Sequence, residues 1–281
     1  MDTLAFIGGG NMASAIIGGL VASGRPGASI VVVEPFEAQR AKLAADFGVR
    51  TFASGEATLA GAALVVWAVK PQLFTQAAAP CAAHVAGALH LSVMAGIRSS
   101  AIARATGSER VVRAMPNTPA LIGQGIAGLF ARSGVSAAER AQVEAVLAPT
   151  GQVLWVAREQ DLDAVTALSG SGPAYVFYVV EAMVQAALDM GLSEAQGKQL
   201  ALATFAGSTA LAQASSDAPA LLRERVTSKG GTTHAAISVL DASGVKAAFV
   251  AAMRAAEQRA RELGDEFGGT RSPRGAAASP V

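Results

Sequence analysis

A single cysteine, Cys81, stands among the 281 residues, so no disulfide can form within the chain and a reducing, cytoplasmic location is expected. A catalytic thiol would want a base, and His84 lies one helical turn on; the plainer reading of Cys81 is a small buried hydrophobe. Charge is scarce as well. Charged residues make up 15% and the formal net charge is +1, which leaves no electrostatic footprint for nucleic acid or anionic lipid. The opening apolar run, Leu4 to Ile7, follows no basic region and reads as a strand, not as a secretory signal. No membrane span is expected either. The longest apolar stretch, Ala174 to Leu192, carries Glu181, Gln185 and Asp189 four residues apart, a polar stripe on a helix. Only three histidines occur (His84, His90 and His234), so little protein acid–base chemistry is expected. No metal site is expected.

What is abundant is aliphatic. Hydrophobic residues reach 52% with 5% aromatics, and much of the excess is alanine, which points to close helix packing. The length suits two domains. In the first half, β-rich runs alternate with amphipathic ones: Leu4–Ile7, Ser29–Val33, Leu64–Val69 and Leu89–Met94 as strands, 11–23 and 37–47 as helices. Buried-looking strands alternating with helices predict an α/β Rossmann domain, a doubly wound and mostly parallel sheet, over 1–160. The runs at 111–114, 126–130 and 153–156 could extend that sheet. From 161 to 264 the spacing is helical throughout, with helices expected at 174–192, 194–213, 218–226, 234–240 and 244–264. Several are apolar on more than one face and so must be buried; a dimer interface would do this. The tail, 265–281, lacks periodicity and is expected to be disordered.

Gly8-Gly9-Gly10-Asn11-Met12-Ala13 lies between the first strand and the first helix, a G-x-G-x-x-A dinucleotide fingerprint. Gly8 permits the tight turn, Gly10 lets a pyrophosphate approach the backbone, and Ala13 keeps the helix close to the strand. Glu34 ends the second strand, where an acidic side chain accepts from the adenosine ribose hydroxyls and repels a 2′-phosphate. Arg40 could swing in to meet such a phosphate, so the choice between NAD(H) and NADP(H) stays open.

A second anion site is expected in Val226-Thr227-Ser228-Lys229-Gly230-Gly231-Thr232-Thr233-His234. Hydroxyl side chains and a glycine pair here feed an apolar helix, whose first N–H groups have no acceptor within it. One site suits a dinucleotide, the other a small acidic substrate.

Five motifs follow one another in order. They are Gly8–Ala13, Ala68-Val69-Lys70-Pro71-Gln72, Met115-Pro116-Asn117-Thr118-Pro119, Ser169–Tyr175 and Val226–Asp241. This set resembles the pyrroline-5-carboxylate reductase family, over about residues 3–262. The resemblance implies hydride reduction of the ring C=N of L-Δ1-pyrroline-5-carboxylate to L-proline, the last step of proline biosynthesis, with NADP(H) or NAD(H) as cofactor. It also implies a homodimer that can assemble further, into decamers in many relatives. A reductase of a related cyclic imine and a non-catalytic NAD(P)H sensor are the alternatives; the β-hydroxyacid reductases are disfavoured because 174–192 contains no lysine.

Carried onto this sequence, the resemblance places Gly8, Gly10, Asn11, Met12, Ala13 and Glu34 with Ala68, Val69, Lys70 and Pro71 along the cofactor. Ala95, Gly96 and Asn117 fall near its nicotinamide end. Thr166 faces the substrate nitrogen, directly or through water. Ser228, Gly230, Gly231, Thr232 and Thr233 take the substrate carboxylate, with Thr233 counted beside Thr166 as catalytic. Each has a plainer rival: Lys70 as a solvated strand end, Thr166, Thr232 and Thr233 as helix caps. Three departures stand out, the first being Glu34, which replaces the small polar or basic residues common in relatives that prefer NADPH. Lys229 occupies a position where many relatives have proline, and Ser215-Ser216-Asp217 stands where relatives often carry a Glu-Ser pair.

Overall fold

The structure is a computed structural model that describes residues 2–55 and 57–267. Its elements run β1 (Thr3–Ile7), α1 (Asn11–Ala22), β2 (Ile30–Val33), α2 (Glu37–Phe47), β3 (Arg50–Phe52), β4 (Ala62–Trp67), α3 (Phe74–Ala78), α4 (Ala82–Val85), β5 (Leu89–Ser92), α5 (Ser99–Thr106), β6 (Val111–Met115), β7 (Gly125–Ala131), α6 (Ala137–Leu147) and β8 (Gly151–Trp155). Helices α7 (Asp161–Val165), α8 (Gly172–Asp189), α9 (Glu194–Gln213), α10 (Pro219–Arg225), α11 (Thr232–Ala242) and α12 (Val245–Phe267) complete them. Two compact units result. One holds the described residues up to Ser171 together with those from Ala256 on; the other runs from Gly172 to Ala255.

In the first unit eight strands form one sheet in the order β3-β2-β1-β4-β5-β6-β7-β8. Pairing is parallel except between β6 and β7. Strands β1, β2 and β4 are aliphatic at nearly every position because helices cover both faces, so alternate residues feed two cores. Leu4, Phe6 and Val32 pack with Ile16 and Ile17 of α1 and Leu147 of α6. Ala5, Ile7, Val33 and Trp67 pack with Phe74, Val85 and Ile102 on the other face. Each fully buried aliphatic side chain of this kind stabilises the unit by about 1.5–3 kcal/mol. Cys81 belongs to the second core: its thiol donates to the Ala77 carbonyl at 3.1 Å, and burial pushes its pKa up to about 11. It is a packing residue.

His90 on β5 is fully buried, and its Nδ1 accepts the indole N–H of Trp67 at 3.2 Å, so the ring proton sits on Nε2. Burial, aided by the nearby Arg110 charge, pulls its pKa down to about 4. The unfolded chain therefore binds this proton first as pH falls. The stability that neutral His90 contributes is full above about pH 6.5 and is lost on the way down to pH 4, on the order of 3 kcal/mol in all. His90→Gln keeps an acceptor for Trp67 but cannot titrate. Urea unfolding should show a flatter pH dependence for this variant between pH 6.5 and 4.5, where most carboxylates are still ionised; an unchanged slope would clear His90 of the effect.

The second unit is all helical, and its close packing runs through small residues. A Cβ added to Gly197 would sit 2.8 Å from Ala187 Cβ, so α8 and α9 approach nearly backbone to backbone. Large side chains such as Phe177, Tyr178, Leu211 and Val239 remain exposed on the single chain. Helix ends differ from the expected ones for local reasons. Helix α8 stops at Asp189, not 192, because Gly191 turns left-handed at φ +86° and Leu192 N–H bonds back to Ala187. Helix α12 runs to Phe267, three residues into the expected tail, because Phe267 packs on the second core of the first unit. The rest of that tail, 268–281, lies outside the described residues. Among the described residues, no single helix is long and apolar enough to cross a membrane.

Candidate active site

From β1 the chain moves outward to β2 and β3, then crosses back to β4 on the other side of β1; a ligand crevice forms at the carboxyl ends of strands at such a switch point. The expected cofactor residues gather there. Gly8, Glu34, Ala68 to Pro71, Ala95–Gly96 and Asn117 each directly follow one of the parallel strands β1, β2, β4, β5 and β6, and so share one edge of the sheet.

The glycine turn is built to receive an anion. Gly8 has φ +98°, and a Cβ there would stand 2.7 Å from the Ala68 carbonyl oxygen. Gly10 precedes α1 without a side-chain cap, and a Cβ on it would meet nothing within 4 Å. The first helical bond runs from Ser14 N–H to the Gly10 carbonyl at 2.9 Å, so the N–H groups of Asn11, Met12 and Ala13 have no acceptor within the helix. Open space in front of free donors and a helix dipole fits a dinucleotide pyrophosphate.

Glu34 does more than mark a strand end. It is buried, accepting the Gly9 N–H at 2.9 Å through one carboxylate oxygen and the Phe36 N–H at 3.0 Å through the other. Gln39, which the spacing of the sequence does not single out, donates to the Gly9 carbonyl at 2.6 Å. The Gly9 peptide is thus held at both ends. Arg40 is docked already, giving Nη1–H bonds to the carbonyls of Glu34 (2.9 Å) and Pro35 (2.7 Å). Lys70 is exposed and precedes the helical turn of Pro71. Asn117 spends its side-chain carbonyl on the Ile126 N–H at 3.0 Å, which pins its turn to β7 and leaves the amide N–H groups to bond elsewhere.

Thr166 is no N-cap. It continues α7 into a π-helical turn, Thr166–Gly170, closed by a Ser171 N–H to Thr166 carbonyl bond of 2.8 Å. Single π turns of this kind concentrate at functional sites. The Thr166 hydroxyl donates to the Leu162 carbonyl at 2.7 Å, which commits its proton and leaves its oxygen to accept. Gly170 brings this turn close to Met115, which leads into the Pro-Asn-Thr-Pro turn: a Cβ would fall 2.6 Å from the Met115 Cε at the mobile end of that side chain.

A separate set of buried charges, unmarked by any sequence motif, lies in the same unit. Arg98 forms a two-point pair with Asp163 (3.2 and 3.1 Å). Glu159 accepts from Ser99 N–H (2.6 Å), Ser99 hydroxyl (2.7 Å) and Arg113 (2.8 Å). Burial pushes the Glu159 carboxyl up, but the Ser99 N–H, the Arg113 charge and the Ser99 hydroxyl outweigh it and hold it below the usual range.

In the second unit, Gly231 N–H bonds the Ser228 carbonyl at 3.0 Å and Gly230 has φ +76°, a type II turn with Lys229 at its second position. Proline favours that position for its fixed φ, so lysine there keeps the turn and adds an exposed cation. Helix α11 starts at Thr232, two residues earlier than expected, with Gly231 as its cap. Thr232, Thr233 and His234 therefore supply the acceptor-free first-turn N–H groups; Ala235 already bonds Gly231. Asp217 accepts from Ser215 at 3.1 Å and pairs with Arg225, the last residue of α10, so it anchors the entry to this loop. The Thr227 hydroxyl donates to Arg223 at 2.6 Å and is spent locally.

Residues 159–263 match the family described as pyrroline-5-carboxylate reductase dimerisation, and 3–96 match NADP oxidoreductase, coenzyme F420-dependent. The pyrroline-5-carboxylate reductase of Pseudomonas aeruginosa is 45% identical over 94% of this chain and 98% of its own. The chain belongs to the pyrroline-5-carboxylate reductase family. The Haemophilus influenzae member is 40% identical over 92% of this chain and 97% of its own. Among solved structures, the Coxiella burnetii reductase superposes with a TM-score of 0.86 at 34% identity, covering 93% of this chain and 98% of that one. The Plasmodium falciparum enzyme, solved with NADP bound, gives 0.83 at 26% identity, covering 94% and 98%. The fold is accordingly an N-terminal Rossmann-type domain followed by this family's helical dimerisation domain, in a family of NAD(P)H-dependent oxidoreductases.

Proposed function

We propose that this chain reduces the C=N bond of L-Δ1-pyrroline-5-carboxylate to give L-proline at the expense of NADH or NADPH. The observation that carries this reading is one family chain holding two separate anion cradles, the Gly8–Ala13 turn and the Ser228–Thr233 turn at the start of α11. Bound reduced nicotinamide supplies the hydride. The rest falls to the chain. Asn11, Met12 and Ala13 N–H groups with Gly8 and Gly10 take the pyrophosphate, Glu34 the adenosine ribose, and Ala68, Val69, Lys70 and Pro71 the stretch between. Ala95, Gly96 and Asn117 border the nicotinamide.

Ser228, Gly230, Gly231, Thr232 and Thr233 hold the substrate carboxylate against the positive end of α11. Thr166, its proton already given to Leu162, accepts the N–H of the protonated imine and favours the better hydride acceptor. The chain does little acid–base work in this reading, and holding the reactants in place supplies most of the acceleration. The division of labour is a dinucleotide domain over 1–160 and a substrate and dimerisation domain over 161–264, acting as a cytoplasmic homodimer that can assemble into decamers.

Initial rates of NADH and NADPH oxidation with pyrroline-5-carboxylate test the reading: turnover with proline as product is expected, and none with either cofactor rejects it. Glu34→Gln keeps an acceptor for Gly9 but removes the negative charge, so the NADPH-to-NADH ratio of kcat/KM should rise by about tenfold. A ratio that does not move would take the carboxylate out of cofactor choice.

A further inference from the structure

Arg98 stands at the N-terminal cap of α5, two residues after Gly96, and its guanidinium grips Asp163 of α7 at 3.2 and 3.1 Å. Asp163 lies three residues before Thr166. Both side chains are largely buried, 18% and 6% exposed, so the pair is shielded from solvent screening. The surroundings leave it little freedom. A Cβ on Gly264 of α12 would sit 2.3 Å from Arg98 Nη2, so the guanidinium lies flat beneath that glycine. A Cβ on Gly96, at φ +73°, would meet Phe267 at 3.2 Å and the Leu263 carbonyl at 3.3 Å. The last turns of α12 thus cover the turn and the arginine together. A two-point fork fixes orientation as well as distance, which a lysine ammonium cannot do.

We infer that Arg98 is a positioning residue, clamping Asp163 so that Thr166 is held in register with the Ala95–Gly96 turn. This rests on the reading above, in which that turn borders the nicotinamide and Thr166 meets the substrate nitrogen. A second anchor remains when the clamp is weakened, because Glu159 holds Ser99 and Arg113 to the same approach to α7 through hydrogen bonds of its own.

The test uses the full chain with Arg98→Lys and Asp163→Asn, both close in shape to the native residues. Arg110→Ala serves as control, since it breaks the ion pair with Glu139 away from these segments. Hydrogen exchange without any ligand should quicken in the peptides covering 95–98 and 162–170 together, and only in the two clamp variants. Their kcat should fall about 10- to 100-fold, with KM for both reactants within about threefold, because placement and not binding is lost. Arg110→Ala should keep the wild-type kcat. Exchange that quickens in one segment alone, or a wild-type kcat in both variants, overturns the clamp. Were the wild-type chain itself to show no turnover, the reductase reading would fail, and the exchange data would still decide the clamp.

Discussion

Gly8→Ala should cost about 3 kcal/mol of stability and weaken dinucleotide binding by at least about 100-fold. At φ +98° an L side chain is strained by roughly 1–3 kcal/mol. The added methyl also points at backbone, with the Ala68 oxygen 2.7 Å away and its carbonyl carbon 2.8 Å away. Those atoms belong to the turn after β4 and cannot rotate aside as a side chain would, so about 1–3 kcal/mol of overpacking follows. For a chain this long, that lowers Tm by roughly 6–12 °C. Gly10→Ala is the informative partner. Its φ of −71° suits alanine and its Cβ would enter empty space. It should fold with a wild-type Tm and still bind NAD(P)H poorly, because the methyl occupies the space proposed for the pyrophosphate. Calorimetry for Tm and titration for Kd separate the two. A Gly10→Ala protein that binds as tightly as wild type would contradict the cofactor assignment.

Thr233→Ala should raise KM for pyrroline-5-carboxylate by about 10- to 100-fold, the loss of one hydrogen bond to a charged group at about 1.5–3 kcal/mol. NAD(P)H affinity should change less than about twofold, because Thr233 belongs to the start of α11 and the dinucleotide turn to the start of α1. The helix itself should persist, since Gly231 and not Thr233 caps it. Equal loss of both affinities would remove the division into two anion sites.

The sheet and the glycine turn were legible because their signals are local. Strand β1 and Gly8–Ala13 show themselves in about a dozen consecutive residues. Strand β3 was not, being three residues long with Arg50 exposed. The antiparallel turn of β7 against β6 was equally hidden, since apolar alternation does not encode strand direction. Within the candidate site, the hydroxyl-rich loop pointed to α11, but its threonines read as loop because the cap is a glycine without a side-chain acceptor. The Arg98–Asp163 pair joins residues 65 apart and the Glu159–Ser99 bonds join residues 60 apart. Only the folded sheet brings such positions together. Glu34 was found for its place at the end of β2, whereas its grip on Gly9 depends on how closely the turn passes β2.

The most direct test is to follow the label from NAD(P)H deuterated on the transferable face of nicotinamide C4 into product in the presence of pyrroline-5-carboxylate. Hydride delivery to the imine carbon predicts proline carrying one deuterium, at ring carbon 5, for each dinucleotide oxidised. Unlabelled proline, or oxidation without proline, would contradict it.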